Sequence, residues 1–365
     1  MQTAYSAANI FDGERWLADH AMIVSDHVIE KILPATELPA DINQSHFEQC
    51  TIVPAFIDVQ VYGANDKLFS VYPDAATLHI MQQQFTSEGT VLFQPTLATN
   101  TIEVFKKGID AVRVYWSAGG KGVHGVHLEG PWLNVGKRGA HVQELIHSPD
   151  IAEVAALLEY GAGVITMITV APEVCSDAVL KLLTDSGIVV SAGHSNSTFS
   201  EAMNAFEKGI TAGTHLFNAM SPLHHRQPGL VGAAFQHPTV RFSIIPDGFH
   251  VDFAAITIAK KAMGERLFAI TDAVTTTNEG AYQHKLVGDK YECNGTLSGS
   301  ALSMHKAFKN LVKYVGIDTG EAARMCSRYP AQVLRVDDRY GRLAAGYAAN
   351  AIVLNEEYDI ETVLG

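Results

Sequence analysis

Cysteine is scarce in this chain, and its four copies are far apart. They form no CxxC pair, the spacing that many zinc ribbons and redox motifs use. We therefore interpret them as buried, reduced thiols rather than as disulfides or a cysteine-rich zinc site. The four are Cys50, Cys175, Cys293 and Cys326.

Long apolar runs and positive charge are also in short supply. No run reaches the roughly 18 apolar residues of a membrane-spanning helix, and residues 1–5 lack the basic and apolar regions of a signal peptide. The chain has 26 Lys and Arg against 39 Asp and Glu, a formal net charge of −13. This balance argues against a nucleic-acid-binding surface. We expect a cytoplasmic protein that binds neither nucleic acid nor membrane.

What the chain does have is a regular alternation of strand-like and helix-like segments. Such alternation is typical of parallel βα units, and 365 residues exceed the roughly 250 that a barrel of eight units uses. The pattern predicts an α/β fold with a (β/α)8 TIM-like barrel over residues 51–335. The predicted strands are Thr51–Val59, Thr90–Pro95, Val123–Glu129, Val164–Val170, Ile188–Ala192, Thr211–His215, Phe242–Pro246 and Leu267–Asp272.

The two ends of the chain share a different pattern of short alternating strands. Ala21–Val24 and Val28–Ile32 lie near the start, and Ala351–Leu354 lies near the end. Neither end is long enough to bury a core alone, so we predict one small β-sandwich domain built from residues 1–50 and 336–365. A single helix is predicted over Glu321–Leu334 before the chain returns to this domain.

Three metal-capable side chains stand at the ends of predicted barrel strands. Glu129 ends the third strand, His194 follows the fifth, and His215 ends the sixth. A single buried histidine is more often a packed core residue than a ligand. However, a carboxylate and two imidazoles at one rim are a typical catalytic zinc set, because three protein ligands leave a position open. We predict one divalent ion, with zinc preferred and iron or another divalent ion as the alternative.

Asp272, at the end of the eighth predicted strand, allows two interpretations. It can cap the turn that follows, or it can take a proton from a water and pass it to a leaving amine. We favour the second because its position on a barrel rim is where such enzymes place their chemistry.

Three loops add candidate contacts to a substrate. The loop from Asn218 to Arg226 can hold an oxyanion such as phosphate, or it can be a surface loop with an incidental arginine. His141 and His250 can orient or polarise a substrate carbonyl. His127, two residues before Glu129, is better explained by packing or by support of the ligands than by ligation.

With these motifs assembled, the chain resembles the N-acetylglucosamine-6-phosphate deacetylases, a family of the amidohydrolase superfamily. The likeness runs nearly end to end, and two of the motifs are specific to this family rather than to amidohydrolases in general. These two are the runs Ala192–Asn196 and Gly213–Met220; the others are Pro54–Asp58, Asn294–Ala301 and Gly341–Asn350.

The resemblance implies hydrolysis of the N-acetyl group of N-acetylglucosamine 6-phosphate to glucosamine 6-phosphate and acetate. By matching position, it implies Glu129, His194 and His215 as metal ligands and Asp272 as the proton acceptor and donor. It implies substrate contacts for Ala140, His141, Asn218, Ala219, Arg226, His250, Leu297, Ser298 and Gly299. Family members form dimers in which the residue matching Arg226 serves the neighbouring active site, so a homodimer is expected.

One departure from the superfamily pattern bears on the metal. Many members carry His-x-His at the end of strand one to hold a second ion, whereas this chain has Gln60-Val61-Tyr62. We therefore expect one ion.

Three alternatives for the function stay open at this stage. One is the galacto epimer of the substrate, and another is a related amidohydrolase such as a deaminase or cyclic amidase. The third is a catalytically silent homologue that binds sugar phosphates.

Overall fold

The structure is a computed structural model, and it describes residues 2–365. Twenty strands are numbered in chain order. They are β1 (Thr3–Phe11), β2 (Trp16–Ala18), β3 (His20–Ser25), β4 (Val28–Pro34), β5 (Asn43–Pro54), β6 (Phe56–Val61), β7 (Gly63–Ala64), β8 (Lys67–Leu68), β9 (Thr90–Ala98), β10 (Val126–Glu129), β11 (Ile165–Val170), β12 (Val189–Ala192), β13 (Ala212–Gly213), β14 (Arg241–Ile244), β15 (Leu267–Ala269), β16 (Lys285–Val287), β17 (Lys290–Cys293), β18 (Thr296–Ser300), β19 (Ala351–Leu354) and β20 (Ile360–Leu364).

Ten α-helices and five short 3-10 helices connect these strands. The α-helices are α1 (Ala75–Ser87), α2 (Ile102–Ser117), α3 (Ile151–Tyr160), α4 (Asp177–Asp185), α5 (Phe199–Glu207), α6 (Gly229–Gln236), α7 (Phe253–Met263), α8 (Met304–Lys313), α9 (Thr319–Cys326) and α10 (Arg328–Val333). The 3-10 helices are Ala35–Glu37, Val135–Lys137, Gln143–Leu145, Pro172–Val174 and Gly264–Arg266.

Several helices begin where a side chain caps the first turn. Asp150 accepts hydrogen bonds from two backbone N–H groups at the start of α3, and Asp252 does the same for one at the start of α7. Thr198 and Glu201 form a reciprocal capping box at α5. Such caps satisfy N–H groups that have no partner within the helix, so they fix where each helix starts.

Eight strands form a parallel sheet that closes nearly into a barrel. Its order is β6, β9, β10, β11, β12, β13, β14 and β15. After β15 the chain returns to β6, because Val61 forms a parallel bridge with Ala273 and the Asp272 N–H donates to the Gln60 carbonyl at 3.0 Å. The predicted fold class is confirmed.

The strands of this barrel are buried over most of their length. Every residue of β10, β12 and β15 is buried, as expected for parallel strands covered on both faces. Their carboxyl ends meet at one rim, so side chains that follow different strands converge there.

Strands from both termini form a second, mixed sheet of seven strands. Its path runs β20, β19, β5, β1, β3 and β4, with β2 paired to β1. A core of apolar residues belongs to it, including Ile10, Met22, Ile52 and Val353.

The chain divides into two compact units. One contains the two ends of the chain, up to Ile57 and from Met304, together with Phe85–Val91; the other contains Asp58–Gln84 and Leu92–Ser303. The domain boundaries at residues 50/51 and 335/336 stay a prediction.

Two predicted elements are each divided in two in the structure. The strand Thr51–Val59 is two strands, because β5 ends at Pro54 and Ala55 donates its N–H to the Asn350 carbonyl instead. The helix Glu321–Leu334 is interrupted at Ser327, which has φ −135° and ψ −69°. An unbroken helix would require an N–H from Pro330, which proline lacks.

The cysteines and the helix lengths bear on two predictions made from the composition. The four cysteines are free thiols, three of them buried. Within residues 2–365, none of the helices is both long and apolar enough to cross a bilayer.

Candidate active site

Four predicted site residues meet at the carboxyl-end rim of the barrel. Glu129 is the last residue of β10, and His194 and His215 each lie two residues beyond their strands, β12 and β13. Asp272 follows β15 by three residues. All four are buried, with 2–8% of their surface exposed. The structure thus brings them together from four separate strands.

Three of the four adopt a backbone conformation that is unusual for residues other than glycine. The φ angles are +47° at His194, +39° at His215 and +55° at Asp272. This left-handed conformation costs about 1–3 kcal/mol and is found preferentially at functional sites. It also explains why the predicted strands ending at His215 and Asp272 stop early, at Gly213 and Ala269.

The Glu129 carboxylate and two imidazoles converge on one point. Glu129 Oε1 lies 3.0 Å from His215 Nε2 and 3.2 Å from His194 Nε2. The two Nε2 atoms are 3.1 Å apart. One oxygen and two nitrogens of the types that zinc prefers therefore face one another.

The hydrogen bonds around His194 indicate what this cluster requires. His194 Nδ1 lies 2.9 Å from the Lys137 carbonyl, which only accepts, so Nδ1 carries the proton and Nε2 presents a lone pair. That lone pair faces a carboxylate oxygen and a second imidazole nitrogen. A cation shared by the three atoms removes this repulsion, so the residues present fit a divalent metal ion.

His141 stands next to the cluster in a different role. Its Nε2 lies 3.2 Å from Glu129 Oε2, and the ligand atoms of Glu129, His141 and His194 all lie within 4.8 Å of one another. However, His141 Nδ1 lies 2.8 Å from the Thr99 hydroxyl, which can donate or accept, and 3.3 Å from the Thr99 N–H, which can only donate. The N–H favours the tautomer with the proton on Nε2, which donates to Glu129 and leaves no lone pair for a metal. His215 completes the ligand set better than His141 does.

The two carboxylates of the site have opposite pKa shifts. Burial raises the pKa of Glu129, but the charges and hydrogen bonds of His194 and His141 outweigh it and hold the pKa well below its usual value. Burial raises the pKa of Asp272 well above its usual value, and the nearby charge of Glu129 raises it further.

Two polar side chains on β6 and just after it connect these carboxylates. Gln60 Nε2 donates to Asp272 Oδ1 at 2.7 Å and to Glu129 Oε1 at 3.1 Å. The Tyr62 hydroxyl donates to Glu129 Oε2 at 2.5 Å and lies 3.3 Å from Asp272 Oδ1. Burial and the two nearby carboxylates raise the pKa of Tyr62 well above its usual value, so it stays a donor.

Most of the predicted substrate contacts line the same cavity as the cluster. From the predicted set they are Ala140, His141, Asn218, Ala219, His250, Leu297, Ser298 and Gly299, beside Glu129, His194, His215 and Asp272.

Arg226 is the predicted contact that lies elsewhere, because it is exposed on its loop and does not line the cavity. Over residues 2–365, the cavity wall contains no lysine or arginine.

His250 is held by a carboxylate that the sequence interpretation did not single out. Its Nδ1 lies 2.6 Å from Asp247 Oδ2, and both side chains are almost fully buried. Burial raises the pKa of Asp247, but the hydrogen bonds and charge of His250 outweigh this and lower it. Such a partner fixes the orientation of an imidazole.

His127 packs beneath the site rather than joining it. Its Nδ1 lies 3.1 Å from the Val59 carbonyl and its Nε2 lies 2.8 Å from Thr169 Oγ1. Burial lowers its pKa to about 4. Both nitrogens are engaged, which matches the predicted packing role.

Sequence reasoning missed several residues of the cavity wall. Tyr62 was noted only as the residue that replaces a superfamily histidine, and Ser70, Tyr282 and His284 were not singled out at all. A sequence signal existed for Tyr62, since it occupies a superfamily ligand position, but the other three lie in loops without a recognisable motif.

Comparisons with known proteins agree with this geometry. The model of the Amidohydrolase family matches residues 51–364, and that of the NagA composite domain matches residues 4–48. The chain belongs to the amidohydrolase family. The resemblance inferred from the sequence motifs is thereby confirmed.

Individual relatives share most of their length with this chain. An N-acetylglucosamine-6-phosphate deacetylase of Haemophilus influenzae is 34% identical over 94% of this chain and 93% of its own. An N-acetylgalactosamine-6-phosphate deacetylase of a Shewanella species is 33% identical over 95% and 91%. The crystal structure of an N-acetylglucosamine-6-phosphate deacetylase from Pasteurella multocida has a TM-score of 0.96 and 32% identity, covering 100% of this chain and 98% of that one.

Proposed function

We propose that this protein hydrolyses the N-acetyl group of N-acetylglucosamine 6-phosphate, giving glucosamine 6-phosphate and acetate. The observation that carries the proposal is the convergence of Glu129, His194 and His215 beside Asp272 in one cavity. Relatives that match almost the whole chain carry this activity in their names.

We propose that these three residues hold one divalent ion and that the ion is zinc. Two neutral imidazoles and a carboxylate suit zinc, although iron or another divalent ion fits the same donors. A bound ion of this kind supplies Lewis-acid chemistry, polarising a carbonyl and making a water more acidic. The positions that hold a second ion in many superfamily members are filled by Gln60 and Tyr62, which supports a single ion.

Asp272 is the group that moves the proton. Gln60 donates to Oδ1, and the Tyr62 hydroxyl lies 3.3 Å from the same oxygen, so Oδ2 is the oxygen that remains for a reacting water. In the metal-free protein, burial and the nearby charge of Glu129 raise its pKa, so there it binds a proton more readily than an ordinary carboxyl group. It takes a proton from the attacking water and delivers it to the nitrogen of the departing amine, which separates acetate from the amino sugar.

The remaining side chains of the cavity bind and orient the substrate. Asp247 fixes Nδ1 of His250, which leaves Nε2 as the ring's remaining polar atom for the acetyl carbonyl. The backbone and side chains of Asn218 and Ala219 lie on the wall where the phosphate would enter. Leu297–Gly299 line the wall for the sugar.

The need for a cation to bind the phosphate supports a homodimer. A phosphate dianion calls for a cation, yet the cavity wall, as described for residues 2–365, has no lysine or arginine. The exposed Arg226 is suited to enter the cavity of a second subunit. A cytoplasmic location is proposed from the four free thiols, which are typical of a reducing compartment.

The galacto epimer is the second candidate substrate. It is favoured by the Shewanella relative, which is named for that epimer and is 33% identical to this chain.

One assay tests the function and the choice of epimer. Acetate release is measured from both 6-phosphorylated epimers and from unphosphorylated N-acetylglucosamine, before chelation, after chelation, and after zinc is restored. We expect metal-dependent release from the gluco 6-phosphate, with the other two substrates slower. Faster release from the galacto epimer would reassign the substrate. The absence of release from either phosphorylated sugar by metal-loaded protein would favour a silent sugar-phosphate-binding homologue.

A further inference from the structure

A chain of neighbouring aromatic rings connects the metal-binding cluster to His284 on the cavity wall. The ring of His141 lies 4.3 Å from that of His194, Tyr282 lies 6.3 Å from His141, and His284 lies 6.2 Å from Tyr282 and parallel to it. His141, Tyr282 and His284 all line the cavity. His284 is therefore two ring-to-ring contacts from His141 and three from His194.

His284 has a nitrogen without a hydrogen-bond partner. The residue is 4% exposed, and its Nδ1 is buried with no partner among residues 2–365. The ring donates to the backbone carbonyl of Ser298, so this bond uses Nε2. A carbonyl only accepts, which places the proton on Nε2 and a lone pair on Nδ1.

The chemistry of this free lone pair limits what can bind it. Burial lowers the pKa of His284 to about 4, although the Ser298 carbonyl opposes the shift, so the ring is neutral near pH 7. A phosphate dianion offers only acceptor oxygens and is repelled by a lone pair. A hydroxyl group has a proton to donate. A buried acceptor left unpaired costs about 1–3 kcal/mol, so a donor supplied by a ligand restores a bond that the chain itself does not make.

We propose that His284 accepts a hydrogen bond from a ring hydroxyl of the sugar and is a specificity-determining residue. This inference rests on the proposed function, since it places the acetamide at the cluster and the sugar ring farther along the aromatic wall. Tyr282 is not the acceptor, because its hydroxyl donates to the Thr99 carbonyl at 2.6 Å and already accepts from the Val142 backbone N–H. His284 therefore recognises the sugar ring, and other groups bind the phosphate.

The test combines variants of His284 with substrate analogues that each lack one ring hydroxyl group. Wild type, His284→Phe and His284→Asn are assayed with zinc on the parent 6-phosphate and on its 3-deoxy and 4-deoxy analogues. Phenylalanine keeps the ring shape without an acceptor, whereas the asparagine oxygen can occupy the position of Nδ1. His79→Phe is the matched control, because His79 is exposed and lies outside the cavity wall.

We expect His284→Phe to lower kcat/KM on the parent about 10–100-fold, mostly through KM, as for loss of a hydrogen bond worth about 1.4–2.8 kcal/mol. On the analogue that lacks the partner hydroxyl, wild type and His284→Phe should be equal. His284→Asn should regain part of the loss, and His79→Phe should match wild type.

The outcomes separate this inference from the function on which it rests. An equal loss in His284→Phe on all three compounds, or no loss on any of them, would overturn the assignment of His284 while wild-type turnover leaves the function intact. If wild type releases acetate from neither 6-phosphate epimer, the proposed function fails, and the role of His284 fails with it.

Discussion

The ends of strands β10 and β15 carry the same kind of group in opposite surroundings. Glu129, at the end of β10, lies within 3.2 Å of three imidazole nitrogens, and its pKa is lowered. Asp272, beyond β15, accepts a hydrogen bond from the neutral side chain of Gln60 and lies 3.3 Å from the Tyr62 hydroxyl, and its pKa is raised. Both carboxylates are buried, so neighbours rather than burial make the difference.

This difference separates two tasks that one site must perform. A carboxylate that stays ionised is suited to hold a cation, whereas one that binds protons readily is suited to transfer them. Pairs of titratable groups whose surroundings push their pKa values apart mark the division of roles in many enzymes. Gln60 donates to both groups, and the Tyr62 hydroxyl donates to Glu129 and lies 3.3 Å from Asp272 Oδ1.

The largest expected effect comes from removing the proton-transfer group alone. Asp272→Asn keeps the size and the hydrogen bond of the side chain but cannot accept a proton. We expect kcat to fall about 10³-fold or more, at the upper end of what general acid–base catalysis contributes. Substrate affinity, measured by calorimetry on the zinc-loaded protein, should change less than about threefold. Turnover within tenfold of wild type would refute the role.

A smaller effect is expected when a hydrogen bond to the metal-binding carboxylate is removed. Tyr62→Phe removes the hydroxyl that donates to Glu129 Oε2. Loss of a hydrogen bond that orients a metal ligand typically lowers metal affinity about 10–100-fold. Competition with a chromophoric chelator measures this affinity. The control is Tyr314→Phe at an exposed position. Equal metal affinities in the two variants would show that the Tyr62 hydroxyl does not support the metal site.

The smallest effect concerns the stability of the metal-free protein. The folded-state pKa of Asp272 is raised above its unfolded value of about 3.9. Between the two values the folded chain therefore binds more protons than the unfolded one, and stability falls as pH rises through this range. Asp272→Asn removes this penalty, so its melting temperature should exceed that of wild type near pH 7 by at least about 2 °C.

The pH dependence distinguishes this cause from a general effect of the substitution. The advantage of Asp272→Asn should shrink as pH approaches 4, where Asp272 is protonated in the folded state and about half protonated in the unfolded state. Melting curves of metal-free protein at pH 4, 5.5 and 7 measure it. An advantage that is constant with pH, or a destabilised variant at pH 7, would contradict the raised pKa.

The sequence could predict those site residues that a pattern of neighbouring residues marks. Four site residues each follow an apolar run: Glu129, His194, His215 and Asp272. Because the carboxyl ends of barrel strands meet at one rim, these positions predict a shared site. The left-handed backbone at His194, His215 and Asp272 had no such signal, because residues other than glycine rarely adopt it.

Contacts between distant loops were beyond sequence reasoning. The bond between Tyr282 and Thr99 joins residues 183 positions apart, and the lone pair of His284 depends on the carbonyl that its other nitrogen meets. The helix break at Ser327 was predictable in principle from Pro330, since proline removes a helical hydrogen bond.

Metal content is the most direct test of the central claim that the two carboxylates have different tasks. Glu129→Gln and Asp272→Asn are purified in parallel with wild type, loaded with zinc, passed through a desalting column and analysed for zinc per chain. We expect about one ion for wild type and Asp272→Asn and almost none for Glu129→Gln. Full zinc content in Glu129→Gln, or its loss in Asp272→Asn alone, would contradict it.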